Sequence, residues 1–141
     1  MRKDARKVAF SLIYEYFFTQ QKDNVDFEQF TQKEDTDDTV FELDGMDKSY
    51  ITNIYNKVTE NLEEYKGKVV ELSKGFKEDR LYKVDLAILI MAVCEIDNNI
   101  VPIPVAINEA VNLAKIYSTE NSSSFINGIL SEYVKNIKEQ L

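Results

Sequence analysis

The spacing of apolar residues along this chain predicts helices almost everywhere and a clean strand nowhere. Val8, Ala9, Leu12, Ile13 and Tyr16 recur at helical intervals, which predicts a first helix over about 4–19 with one face in the core. Phe10, Phe17 and Phe18 widen that surface beyond a single stripe. A short helix is expected near 25–32, followed by a solvated loop through Asp44-Gly45. Ile51, Ile54, Val58, Leu62 and Tyr65 then share one face of a long helix, with Asp47 as its N-cap and Gly67 as its break. A shorter helix over 68–73 follows, and Lys74-Gly75 turns the chain towards Asp79, a candidate cap for the next helix.

From Leu81 to Ile96 the pattern changes. Leu81, Val84, Ile88, Met91 and Glu95 lie on one face, while Ala87, Leu89, Ile90, Ala92, Val93 and Ile96 fill the others. A helix apolar on nearly all sides is the buried one in its bundle. Asn98-Asn99 ends it, and Pro102 with Pro104 forbids an early restart; Pro104 suits the first turn of the next helix, where a missing N–H costs nothing. That helix reaches about Tyr117, with Val105, Ile107, Ala110, Val111 and Ala114 as core candidates. A polar stretch over 118–122 precedes the last helix, which buries Phe125, Ile126, Ile129, Leu130, Tyr133, Val134 and Ile137. The expected fold is all-α: one domain over 1–141, a bundle of about seven helices around the buried central one.

Composition agrees with long helices. The chain has 141 residues, enough for one real core, and only four glycines and two prolines. Its one cysteine, Cys94, lies in the most apolar segment, which implies a small core residue in a reducing compartment. The N-terminal apolar positions are interrupted by Ser11, Tyr14 and Glu15, so this is neither a signal peptide nor a membrane span. A cytoplasmic protein with no membrane attachment is expected.

Charge changes the picture more. The net charge of −8 argues against a nucleic-acid partner until its distribution is read. Residues 1–22 carry five basic against two acidic side chains, and residues 23–47 carry ten acids against Lys33 alone. The global figure therefore hides a basic N-terminal end. Asp35, Asp37 and Asp38 read as a solvated acidic loop, since Val40 stands where a calcium loop requires glycine.

Catalytic chemistry is scarce. There is no histidine, no thiolate cluster and no phosphate-cradling glycine loop, so no catalytic residue, metal site or cofactor is expected. Asp85, Glu95 and Glu109 read as structural acids that cap backbone groups or pair with Arg80 or a lysine.

Three features can carry function. Arg2, Lys3, Arg6 and Lys7 lie in the first two helical turns, where the macrodipole disfavours cations. Lys3, Lys7, Phe10 and Tyr14 fall at helical spacing, joining cations for phosphates to rings for unstacked bases, as single-stranded RNA recognition needs. An ordinary soluble N-terminus is the competing reading. Second, Asn121, Ser122, Ser123 and Ser124 lead into Phe125 at a helix N-terminus, suited to a phosphate or base edge, or simply to N-capping. Third, Tyr14, Tyr16, Phe17, Phe18 and Tyr55 exceed what one core face can hold, which suggests a protein-binding patch centred on Tyr16, Phe17 and Phe18.

Taken in order, Arg80-Leu81, Asp85, Ile88-Leu89, Ala92, Glu95, Pro102 or Pro104, Ile107-Asn-Glu-Ala110, Leu113-Ala-Lys115 and Phe125-Ile-Asn-Gly128 resemble the NusB family of transcription antitermination factors. Ala5-Arg6, Ala9, Leu12 and Tyr14 match that family's opening helix, whereas Ile90 stands where members often carry arginine. The resemblance implies an all-helical, non-catalytic factor that binds single-stranded boxA RNA jointly with the ribosomal protein NusE. It implies recruitment to the RNA polymerase elongation complex with other Nus factors, suppressing premature termination in ribosomal RNA operons. Carried onto this chain, the RNA-binding residues become Arg2, Lys3, Arg6, Lys7, Tyr14, Asn121, Ser124 and Phe125. Two alternatives stay open: a helical protein-interaction domain with weak or no RNA binding of its own, and a homodimer that hides the same surface.

Overall fold

The computed structural model describes residues 2–22, 43–73 and 81–139. Among them are six helices and no strand: α1 (Arg2–Thr19), α2 (Gly45–Glu60), α3 (Leu62–Leu72), α4 (Lys83–Asp97), α5 (Ile103–Tyr117) and α6 (Ser122–Glu139). The expected helix at 25–32, the acidic loop at 35–38, the turn at Lys74-Gly75 and the Asp79 cap lie outside the described residues. The chain groups into two compact units, residues 1–59 and 60–141.

In the first unit, Ala5, Val8, Ala9, Leu12 and Ile13 form the buried face of α1, and Tyr50, Ile51, Ile54, Tyr55 and Val58 that of α2. The two helices meet through side chains from both: the Arg6 guanidinium lies 5.5 Å from the Tyr50 ring centre. Tyr16 meets Tyr55 edge-on, with centres 6.4 Å apart. The start of α2 differs from expectation. Asp44 is the cap: its Oδ1 accepts the Asp47 N–H at 2.8 Å, while Asp47 Oδ2 accepts the Asp44 N–H at 3.2 Å. The pair is a reciprocal capping box with aspartate at both positions.

In the second unit, α3 starts at Asn61, whose carbonyl accepts the Tyr65 N–H at 3.1 Å. Gly67 sits inside α3 and breaks nothing. A single glycine costs a helix only about 1 kcal/mol, less than the burial of Leu62, Tyr65 and Val69 returns. α3, α5 and α6 pack against α4, and α5 packs against α6. Every residue of α4 from Asp85 to Ile96 is buried, Ile90 fully so. Its end is a Schellman motif: Asn99 takes a φ of 51°, its N–H reaches the Ile96 carbonyl at 3.2 Å, and the Ile100 N–H reaches Glu95 at 3.0 Å. Pro102 then caps α5, and Pro104 occupies its first turn. Ile96, Ala106 and Val134 join α4, α5 and α6 in a small apolar cluster.

A polar clamp ties the C-terminal end of α4 to its neighbours. Asp97 accepts from the Lys68 ammonium at 2.6 Å on α3 and from the Tyr133 hydroxyl on α6. The Asn98 amide donates to the Tyr65 hydroxyl at 3.2 Å. Burial, reinforced at Tyr133 by its bond to the Asp97 carboxylate, raises both phenols, Tyr65 to about 12.

Candidate nucleic-acid interface

At the opposite end of α4 a second polar cluster organises the start of α6. Asp85, in the first turn of α4, is 3 % exposed, and its two oxygens accept from two hydroxyls: Ser118 on Oδ1 and Ser122 on Oδ2, the latter at 2.9 Å. Because the Ser122 proton is committed to Asp85, Thr119 Oγ1 is the donor in its 2.8 Å contact with Ser122 Oγ. Asp85 was expected to cap backbone groups or to pair with Arg80 or a lysine; among the described residues its hydrogen-bonding partners include two serine hydroxyls, and Arg80 lies outside those residues. Pinning residues 118 and 122 holds the first turn of α6 so that Asn121 and Ser124 are exposed and Phe125 is half-buried. Beside them lies a cavity of about 160 Å³, whose lining includes Leu81, Tyr82, Thr119, Asn121 and Phe125.

The N-terminal candidates divide. Arg2 opens α1, Lys3 is exposed, and Lys7 is half-buried. Arg6 is a correction to the sequence expectation: it is 2 % exposed and lies against Tyr50, so its guanidinium belongs to the interior of the first unit. The helical face explains this, since Arg6, Ala9 and Ile13 follow one another at three- and four-residue steps and the latter two are fully buried. Tyr14 stands in a ladder of rings, stacked on Phe10 with centres 5.8 Å apart and edge-on to Phe18 at 5.0 Å. Phe10 itself is buried. Of the expected protein-binding residues, Phe18 is 62 % exposed, while Tyr16 and Phe17 are half-buried.

Sequence reading missed Tyr82. It falls between Leu81 and Val84, within the expected helix but on none of its assigned faces; the structure starts α4 at Lys83 and makes Tyr82 its N-cap. No sequence signal marked it, because the expected cap was Asp79 and the N-cap place of Tyr82, where Ser, Thr, Asp or Asn is the usual choice, comes from the fold.

Among the described residues, no group of three or more histidine, cysteine, aspartate or glutamate side chains could hold a metal ion. Among them also, no helix is long and apolar enough to cross a membrane.

Comparison with known proteins matches residues 3–135 to the NusB family. The transcription antitermination protein NusB of Acetivibrio thermocellus is 42 % identical over 137 residues, covering 95 % of this chain and 88 % of that protein. T. maritima NusB superposes with a TM-score of 0.76 at 28 % identity, covering 100 % of this chain and 98 % of that one. The antitermination factors NusB and NusE crystallised with double-stranded RNA give a fold match with a TM-score of 0.77 at 21 % identity, covering 96 % of each chain. In class, this is an all-helical transcription antitermination protein. The chain belongs to the NusB family.

Proposed function

We propose that this protein binds boxA-type nascent RNA together with the ribosomal protein NusE and suppresses premature termination in ribosomal RNA operons. It acts without catalysis, in the cytoplasm, within an elongation complex containing other Nus factors. The observation that carries the reading is the pinned start of α6: Asp85 fixes Ser118 and Ser122, which leaves Asn121 and Ser124 exposed and Phe125 half-buried beside them as polar and aromatic contacts. Exposed Lys3, with Lys7, Arg2 and Tyr14 on α1, supplies the cations and a ring for a phosphate backbone and its bases. The structural neighbour held with NusE and double-stranded RNA supports the pair of partners. Single-stranded boxA is the favoured form, because ring contacts need unstacked bases.

The test is a titration of boxA-type single-stranded RNA with and without NusE, across salt. Binding should strengthen with NusE and weaken steeply with salt. Equal binding of the RNA and a scrambled sequence, with or without NusE, would refute the reading.

A second reading, a helical protein-interaction domain with weak RNA binding of its own, draws on exposed large apolar residues, among them Phe18 at 62 % and Ile116 at 55 %. It predicts NusE binding with no gain in RNA affinity.

A further inference from the structure

We propose that Tyr82 is a base-stacking residue, forming with Phe125 a pocket that takes one unstacked nucleobase of the bound RNA. The inference rests on the RNA-binding reading above and adds a residue and a subsite to it. Tyr82 occupies the N-cap of α4 in extended backbone geometry (φ −60°, ψ 133°) and makes no side-chain cap. The residue is 64 % exposed, so the chain places a large aromatic at the surface where a short polar residue would stabilise the helix better. Stability of the fold does not account for that choice.

The cavity it lines does. That cavity, of about 160 Å³, is lined mainly by carbon and has Tyr82, Phe125 and Leu81 in its lining. Tyr82 and Phe125 stand on elements held together by the Asp85–Ser122 bond, so the backbone that carries the two rings is placed before any ligand arrives. Its lining also includes the Asn121 amide, which can both donate and accept, and the Thr119 hydroxyl, whose oxygen can accept. The Asp85 carboxylate lies at the wall, which disfavours a phosphate in the cavity itself. A flat, uncharged ring with hydrogen-bonding edges fits that lining; an anion does not. The cavity also adjoins Asn121 and Phe125, two of the residues proposed to meet RNA, so the base it takes is one of the same strand.

The experiment places 2-aminopurine at successive positions of a boxA-type single-stranded RNA and follows its fluorescence on adding this protein and NusE. One position should be quenched by the wild-type protein and not by Tyr82→Ala, with quenching retained by Tyr82→Phe. The affinity should fall on the order of tenfold in Tyr82→Ala with an unchanged salt slope, because the substitution removes a stacking ring and no cation. Tyr82 is exposed, and a helical spectrum identical to wild type checks that the variant is folded. Wild-type binding without any position whose quenching depends on Tyr82 would overturn the pocket and leave the RNA-binding reading intact. Loss of NusE binding by Tyr82→Ala without RNA would also overturn it, assigning the cavity to a protein side chain. No RNA binding by the wild-type protein with NusE would overturn both.

Discussion

Ser122, the first residue of α6, donates to Asp85 in the first turn of α4 at 2.9 Å, and both side chains are buried. Two helices far apart in sequence are thereby locked at the ends that carry the candidate site. Ser118 completes the arrangement on the other carboxylate oxygen.

Removing the acid should therefore cost more than its size suggests. Asp85→Ala leaves the buried Ser122 hydroxyl without its acceptor, while Ser118 can still donate to Ser122 Oγ at 2.8 Å, and an expected loss of about 1–3 kcal/mol follows for the buried unsatisfied group. Ser122→Ala in the Asp85→Ala background should cost less than in the wild type, a coupling of roughly 0.5–3 kcal/mol. Urea unfolding of the four proteins measures it. Strict additivity would mean that the bond carries no stability.

How much of this was legible beforehand depends on the kind of signal. The burial of α4 could be read directly, because an all-round apolar run of that length has one stable place in a bundle. The restart after Pro102 and the end of α5 at Tyr117 were equally legible, since proline geometry and polar breaks act locally. The cap of α2 was not: Asp44 and Asp47 are three residues apart, both suit an N-cap, and only geometry shows that they serve each other. Gly67 misled for a different reason. Glycine weakens a helix by an amount that tertiary burial overrides, so its presence alone does not end one. At the site, Asn121, Ser124 and Phe125 were found from their residue types, whereas Tyr82 needed the fold to bring it to the cavity that Phe125 also lines.

Arg6 and its lysine neighbours should separate by experiment. The Arg6 guanidinium lies 5.5 Å from the Tyr50 ring centre and both residues are buried, so Arg6→Ala should destabilise the protein by roughly 2 kcal/mol or more. Lys3→Glu with Lys7→Glu should leave thermal stability nearly unchanged. It should weaken RNA binding and reduce the dependence of log affinity on log salt by about 0.7 for each phosphate no longer neutralised. Measuring melting temperature and salt-dependent RNA affinity on both variants tests the division. An Arg6→Ala protein as stable as wild type but deficient in RNA binding would return Arg6 to the RNA surface.

Asp44→Ala removes the acceptor for the Asp47 N–H and should cost about 1 kcal/mol, the usual value of an N-cap. Asp44→Ser should recover most of it, because a hydroxyl oxygen accepts the same bond. The midpoint of chemical unfolding reports the difference. Equal losses for alanine and serine would show that the cap does not hold the first turn of α2.

The two buried phenols predict how stability responds to alkali. Tyr65 is raised from 10.0 to about 12 by burial, and Tyr133 is raised as well, by burial first and then by its bond to Asp97. In the unfolded chain both phenols titrate near their ordinary value of about 10. Between about pH 10 and 12 the folded state therefore holds protons that the unfolded state has released, so stability falls as the pH rises. Below about pH 10 both states are protonated and this contribution is fully present. The lysines titrate over the same range, so the comparison must be with a double Tyr65→Phe, Tyr133→Phe variant that keeps them all. That variant should start lower at neutral pH, by about 1 kcal/mol for each missing hydrogen bond, and decline less steeply in alkali. Melting temperature against pH for the two proteins decides it. Parallel curves would mean that neither phenol is held protonated by the fold.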